Sequence, residues 1–342
     1  MKAAILVESG KPLVVADIEL PERLEYGQVL VRVRCSGICG SQLGEIDAVK
    51  GPDKFLPHLL GHEGGGEVVD VGPGVRQVKP GDLVVLHWRK GAGIEAPTPK
   101  YRWGERTVNA GWVTSFNELA VVSENRVTPV PPETDLEIAA LLGCAVTTGL
   151  GVVTRDAQLT IGESVAVFGV GGVGLCVVQG AAMVSAYPVI AIDKDEAKLA
   201  LAARLGATHT VNSAVRDPVE AVREIAGPAG VDVAVDTTGA VRLIEAAYGV
   251  TAAAGRTILV GVPRAGERIS IYTLPLHFGK VLTGSHGGQA DPARDIPRYL
   301  ALHRQGKLRL GEMITRRAPL AAINETIAAI RAGEAGRCLI TF

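Results

Sequence analysis

The chain has 342 residues, which is long for one ordinary core and makes two domains the expectation. Lys and Arg total 35 against 36 Asp and Glu, a net charge of −1, so no basic face is implied and nucleic acid is excluded as an expected partner. Hydrophobic residues at 47% with 21% charged describe a globular protein, and no run of about 18 apolar residues is present that could span a membrane. Met1 to Val7 reads as a first strand, too soon followed by Glu8 and Gly10 for a signal peptide. Five cysteines is an odd number with no regular spacing, which fits reduced thiols in a cytoplasmic protein rather than a disulfide scaffold.

Through residue 150, short apolar runs at 13–15, 29–33, 67–69 and 82–86 are separated by Gly and Pro turns, predicting a small barrel or sandwich. The strand at 29–33 leads into Ser36-Gly37-Ile38-Cys39-Gly40-Ser41, read as a loop that sets a thiol and a hydroxyl two residues apart. A soft ligand beside a proton carrier suits a metal that polarises an alcohol, with Ser41 taking the proton. Next comes His62-Glu63-Gly64-Gly65-Gly66, where His62 and Glu63 are both competent zinc ligands and the glycines are expected to let the backbone bend close to an ion. Cys144 follows in Leu142-Gly143-Cys144. Cys39, His62 and Cys144 make a Cys2His set that leaves a fourth zinc position open, the pattern of a catalytic rather than a structural site. Cys35, Cys176 and Cys338 read as small core residues.

In the second half, 164–168 is a continuous apolar run typical of a buried parallel strand. It opens directly into Gly169-Val170-Gly171-Gly172-Val173-Gly174 and a helical run to Met183. That is G-x-G-x-x-G in the strand–turn–helix setting that binds a pyrophosphate on helix N–H groups. A second strand, 188–192, ends in Asp193, placed to hydrogen-bond an adenosine ribose diol and to repel a 2′-phosphate, so NAD is favoured over NADP. Strands at 231–236 and 257–261 alternate with helices at 196–205, 217–226 and 240–253, giving a doubly wound parallel sheet.

The run from Gly61 through Gly72 to Val75 with Lys79-Pro80-Gly81-Asp82, the Cys39 segment and Leu142-Gly143-Cys144 together resemble the signature of zinc-dependent medium-chain alcohol dehydrogenases, nearly end to end. The resemblance implies an α/β chain. A GroES-like β-barrel catalytic domain would span 1–148, completed by 288–342, and a Rossmann domain would span 149–287. It implies NAD and one catalytic zinc on Cys39, His62 and Cys144, with Ser41 carrying the proton and Glu63 beside the metal. The cofactor would meet Gly169 to Gly174, with Gly172 and Val173 inside the turn, Asp193 and Lys198 at the ribose, and Arg337 near the pyrophosphate. Thr148 would lie behind the nicotinamide, with Gly261 and Val262 lining its pocket. Trp88 would wall the substrate cleft, flanked by His87 and Arg89, with Trp103 and Trp112 nearby.

Three departures from the family pattern stand out. Residues 86–116 hold no cysteine, so no structural zinc is expected. Gln42 stands where an aspartate usually orients the ligand histidine, and its oxygen is expected to accept the ring N–H. Gly44 replaces a relay histidine, leaving the proton path to run from Ser41 through the cofactor ribose and water, or to use another base. The expected reaction is reversible hydride transfer between NAD(H) and a primary or secondary alcohol, a polyol, cyclitol or sugar derivative. Arg89, Lys90, Lys100, Arg102 and Arg106 are candidates to hold a phosphate or carboxylate on it. A metal-independent enone reductase and a non-catalytic NAD-binding regulator are the alternatives. A homodimer or homotetramer joined near 268–272 is expected.

Overall fold

The computed structural model describes Met1–Phe342 as three sheets. Two of them build the first half. A five-stranded sheet runs in the order Val14–Asp17, Lys2–Leu6, His58–Leu59, Arg106–Asn109, Lys100–Trp103. The other is ordered Val127–Val130, Leu83–His87, Glu63–Val71, Gln28–Gly37, Arg337–Thr341, Ile314–Pro319, with Leu119–Ser123 also paired to Gln28–Gly37. The last strand of the chain therefore sits inside the sheet that the first half begins.

Gln28–Gly37 is the organiser of that sheet. Its Val29, Val31 and Val33 share one face and one core with Val68, Val84, Leu86 and Ala120, as the two-residue period of a strand dictates. Beside it, Gly64, Gly65 and Gly66 lie within the strand Glu63–Val71 rather than in a loop. A Cβ on Gly65 would run into the carbonyl of Leu136 at the start of the helix Leu136–Leu142. The glycines thus correct the expectation that they bend toward an ion: Gly65 lets a helix lie flat on the sheet, and Gly64 and Gly66 lie close against the backbone of Gln28–Gly37.

The third sheet is all parallel, ordered His209–Asn212, Val189–Asp193, Val165–Phe168, Val231–Asp236, Thr251–Leu259, Val281–Gly284. Its central strand is buried on both faces. Val165 and Val167 face a core shared with the helix Gly172–Met183, and Ala166 and Phe168 face the opposite core with Ala221, Val222 and Ala247. The expected helix at 240–253 ends at Val250, and Thr251 already belongs to the next strand, which bulges against Val231–Asp236. Lys280, buried with no carboxylate partner, donates to the carbonyls of Tyr248 (2.6 Å) and Thr251 (2.7 Å) at that helix end. A cation at a helix C-terminus satisfies carbonyls that have no intrahelical donor.

No single helix is long and apolar enough to cross a membrane; the one bent apolar pair, Leu136–Leu142 with Ala145–Asp156, is packed in the core. All five cysteines are free and buried. Cys35, Cys176 and Cys338 lie in the core as expected, and burial pushes the first two thiols up to about 12 and the third to about 11.

Candidate active site

Three segments from distant parts of the chain bring Cys39, His62 and Cys144 together. Their sulfur and nitrogen donor atoms all lie within 4.8 Å of one another. Cys39 is not in a loop: it is the N-cap of the short helix Gly40–Ile46, and Ser41 sits in that helix's first turn. Cys144 caps the helix Ala145–Gly151. His62 precedes the strand Glu63–Val71, and its Nε2 is buried without any hydrogen-bond partner. A buried imidazole nitrogen left unpaired beside two thiols is the donor set a zinc ion would complete. The two sulfurs are 4.0 Å apart. The hydrogen bond from Cys144, with His62 and Arg337, carries the Cys39 thiol well below its usual range against its burial, and the same bond pushes Cys144 up.

Around these donors the structure departs from expectation at Gln42. Its amide oxygen accepts from the Cys39 N–H (3.0 Å), and its amide nitrogen meets His62 Nδ1. The oxygen therefore does not take the ring N–H; the backbone of Cys39 has claimed it. Glu63 is fully buried and forms an ion pair with Arg337, while its Oε2 has no partner. Burial raises the Glu63 carboxyl against the pull of Arg337, and the same pairing outweighs burial to raise Arg337. Arg337 also lies against Gly172, where a Cβ would strike its side chain. One guanidinium thus touches both the carboxylate beside the thiols and the glycine turn.

The other half of the site is that turn. Gly169 has φ +86°, a conformation that favours glycine, and Gly171 precedes the helix Gly172–Met183 as its N-cap with open space around it. Asp193, at the end of its strand, accepts from the Val170 N–H (3.0 Å) and the Lys194 N–H (2.8 Å), so its carboxylate is fixed beside the turn. A cleft of about 360 Å³ runs from Gly171, Gly172 and Val173 past Lys198, Gly261 and Val262 to Cys39 and Ser41. Cys39 and Ser41 therefore border one space with Gly171, Gly172, Val173, Lys198, Gly261, Val262 and Arg337. Thr148, Oγ1 unpaired, packs on Gly288 as the chain crosses back. Sequence reading missed Thr237 and Thr238, which also line the cleft. Buried Asp236 pins Thr238, accepting from Thr238 Oγ1 (2.6 Å) and the Gly239 N–H (3.0 Å), while Thr237 Oγ1 donates to the Gly169 carbonyl (2.8 Å). The signal was Asp236-Thr237-Thr238-Gly239 just past an apolar strand, a turn pattern with no chemical specificity.

On the substrate side the predicted group divides. The Trp88 ring lies 6.4 Å from that of His62 and 5.2 Å from that of His286, a residue the sequence did not suggest. His87 points away: it is buried, with Nδ1 on the Arg89 carbonyl (2.8 Å) and Nε2 on Thr128 Oγ1 (2.9 Å). Trp103 packs in the core under the five-stranded sheet, and Trp112 is exposed under the Arg126 guanidinium. The basic cluster disperses. Arg102 pairs with Glu19, Lys90 with Glu95, Arg106 lies over Trp103, and Lys100 is exposed on an edge strand. Only Arg89 stays beside Trp88.

Burial lowers the His87 pKa from 6.5 to about 4, so this histidine is neutral in the folded protein. As pH falls through 6.5 the unfolded chain takes up the proton first. The associated stability is present above 6.5 and is lost on the way to about 4, about 3 kcal/mol in all. Urea midpoints measured across that window should fall with pH, and His87→Gln should flatten the slope. An identical slope in the variant would remove His87 from the account.

Residues 25–132 match the family described as alcohol dehydrogenase GroES-like domain, and residues 172–304 match the family described as zinc-binding dehydrogenase. An alcohol dehydrogenase class-3 of Cereibacter sphaeroides is 32% identical over 376 residues, covering 100% of this chain and 99% of that protein. An S-(hydroxymethyl)glutathione dehydrogenase of Haemophilus influenzae is 32% identical over 370 residues, with 100% and 97% covered. Among solved structures, an alcohol dehydrogenase zinc-binding domain protein from Burkholderia ambifaria superposes with a TM-score of 0.91 at 30% identity, covering 100% of this chain and 98% of that one. Benzyl alcohol dehydrogenase from Acinetobacter calcoaceticus gives 0.89 at 27%, with 100% and 99% covered.

Proposed function

The chain belongs to the zinc-dependent medium-chain alcohol dehydrogenase family, and from that premise we propose that it interconverts an alcohol and its carbonyl compound with NAD(H) at the Cys39–His62–Cys144 centre. The observation that supports this most is the clustering of three zinc-competent donors, one of which, Cys39, lines the same cleft as the glycine turn. When bound, zinc supplies the Lewis acidity that makes an alcohol acidic, and NAD supplies the hydride acceptor.

The chain's own residues do the rest. Cys39, His62 and Cys144 would hold the metal, a three-donor set that would leave it free to take the substrate oxygen. Ser41, exposed on the first turn of its helix and lining the cleft, takes the hydroxyl proton; with Gly44 behind it, the proton leaves through the cofactor side of the cleft. Gly171, Gly172 and Val173 cradle the pyrophosphate, Asp193 and Lys198 hold the adenosine ribose, and Thr148, Gly261 and Val262 flank the nicotinamide. Arg337 sits where it can neutralise both Glu63 and a phosphate.

One zinc per chain is proposed. In place of cysteines, the lobe after residue 87 is fastened by Glu124, which accepts from the backbone of Arg76 (2.6 Å), Gln77 (2.8 Å) and Ile94 (2.7 Å), and by Arg126, which donates to the Trp88 carbonyl (2.7 Å). A polyol, cyclitol or sugar-derived substrate fits the unpartnered indole N–H of Trp88 and hydroxyl of Thr148 better than an alkyl chain does. The catalytic unit is assigned to 1–148 with 288–342 and the cofactor unit to 149–287, in a cytoplasmic homodimer or homotetramer. The exposed Tyr272, Leu274 and Phe278 beside the edge strand Val281–Gly284 suit a subunit contact, which a monomeric mass in light scattering would discard.

The test is NAD reduction across polyols, cyclitols and simple alcohols, with metal analysis of the same preparation. About one zinc per chain and turnover of hydroxylated substrates are expected. Two zincs per chain, or full activity after exhaustive chelation, would reject the proposal.

A further inference from the structure

Arg89 is a cation without a counter-ion. Its guanidinium carbon lies 5.6 Å from the centroid of the Trp88 ring, and its Nη1 donates to Nδ1 of His286 at 2.5 Å. No carboxylate pairs with it; Glu95, the acid of its own segment, is shared between Lys90 and Arg126. Its Nε is buried with no partner, and so is the indole Nε1 of Trp88. Arg126 is near enough to oppose it by charge. Half-buried positive charge of this kind is costly to leave unpaired, and every unsatisfied atom in the group is a donor. With Nη1 held by His286, the edge formed by Nε and Nη2 remains, and that edge is the one a planar carboxylate engages with two parallel hydrogen bonds.

Through Trp88, this group adjoins His62. We propose that the substrate carries a carboxylate, bound by Arg89 with the Trp88 N–H, while its hydroxyl lies at the Cys39–His62–Cys144 centre. His286 holds the guanidinium in place through Nδ1 and is a positioning residue. This inference rests on the alcohol dehydrogenase reading and narrows its substrate class to hydroxy acids and their oxo counterparts.

The experiment compares matched alcohols with the zinc-loaded enzyme and NAD: 4-(hydroxymethyl)benzoate against 4-methylbenzyl alcohol, with 4-(hydroxymethyl)phenyl phosphate as a third arm. The carboxylate should exceed its neutral isostere in kcat/KM by about tenfold or more, mainly through KM, with the advantage shrinking as salt rises. Arg89→Gln should erase the preference, and Arg89→Lys should restore part of it. A neutral isostere used equally well, or a preference that survives Arg89→Gln in a protein with unchanged circular dichroism, overturns the inference. So does a preference for the phosphate arm over the carboxylate. Calorimetric binding of benzoate against benzamide to the enzyme–NADH complex decides the same question without turnover. If no alcohol is oxidised, the dehydrogenase reading fails, while a benzoate preference lost in Arg89→Gln still upholds the carboxylate site and equal binding still rejects it.

Discussion

Cys39→Ser is expected to empty the metal centre and to lower kcat/KM by roughly a thousandfold or more, the several kcal/mol that Lewis-acid stabilisation contributes. Cys39 is buried at the N-cap of a helix, with its sulfur 4.0 Å from that of Cys144 and within 4.8 Å of the His62 donor. A serine hydroxyl there is shorter, harder and far less acidic than a thiol whose pKa its surroundings already depress. Because the metal binds only the folded chain, the variant should also lose the part of the melting temperature that zinc confers on the wild type. Zinc content, kcat/KM and melting with and without added zinc are the measurements. A variant that keeps about one zinc and more than a tenth of the activity would remove Cys39 from the ligand set.

Gln42→Glu is expected to tighten zinc binding about 10- to 100-fold, the usual scale for a group that hydrogen-bonds a ligand. The reason is a count of acceptors. To ligate through Nε2, His62 must carry its proton on Nδ1, and that N–H then needs an acceptor. The single oxygen of Gln42 is already occupied by the Cys39 N–H, and its NH2 end faces the ring. Two donors compete for one acceptor, whichever way the amide is turned. A carboxylate of the same shape accepts from both and adds a negative charge near the metal. Since Gln42 is 1% exposed, the same charge should destabilise the metal-free protein. Competition with a chromogenic chelator gives the affinity, and melting of metal-free protein gives the second effect. Unchanged zinc affinity in Gln42→Glu would show that the amide meets no conflict.

What could be read from the residues and what could not follows from the range of the forces involved. The parallel sheet was legible because 165–168 is apolar on both faces and the glycine turn follows at once. The clustering of Cys39, His62 and Cys144 was legible because thiols and imidazole carry their chemistry with them. The helix after Cys39 was not: seven residues with Gly40 and Gly44 show no apolar period, and the helix is held by Leu60, Phe116 and Ile323 packing around Ile38 and Ile46. The glycines at 64–66 were misread because the helix that Gly65 accommodates lies some 70 residues downstream. His87 and the basic cluster were misplaced because their partners, Thr128 and Glu19, come from distant parts of the chain. His286 stands 197 residues from Arg89 and reaches it only through the crossover at Gly287 and Gly288.

The strand Arg337–Thr341 has a consequence for biosynthesis. It pairs with Gln28–Gly37 on one side and Ile314–Pro319 on the other, and it brings Arg337 to Glu63. A chain emerging from the ribosome can complete the parallel sheet once residue 284 is free, but the sheet that carries Glu63 stays two strands short until Arg337–Thr341 has emerged as well. The half that handles the cofactor can therefore mature during translation. The half that carries the Cys39–His62–Cys144 cluster closes its sheet later, so the two halves of the molecule mature in the reverse of their order in the chain.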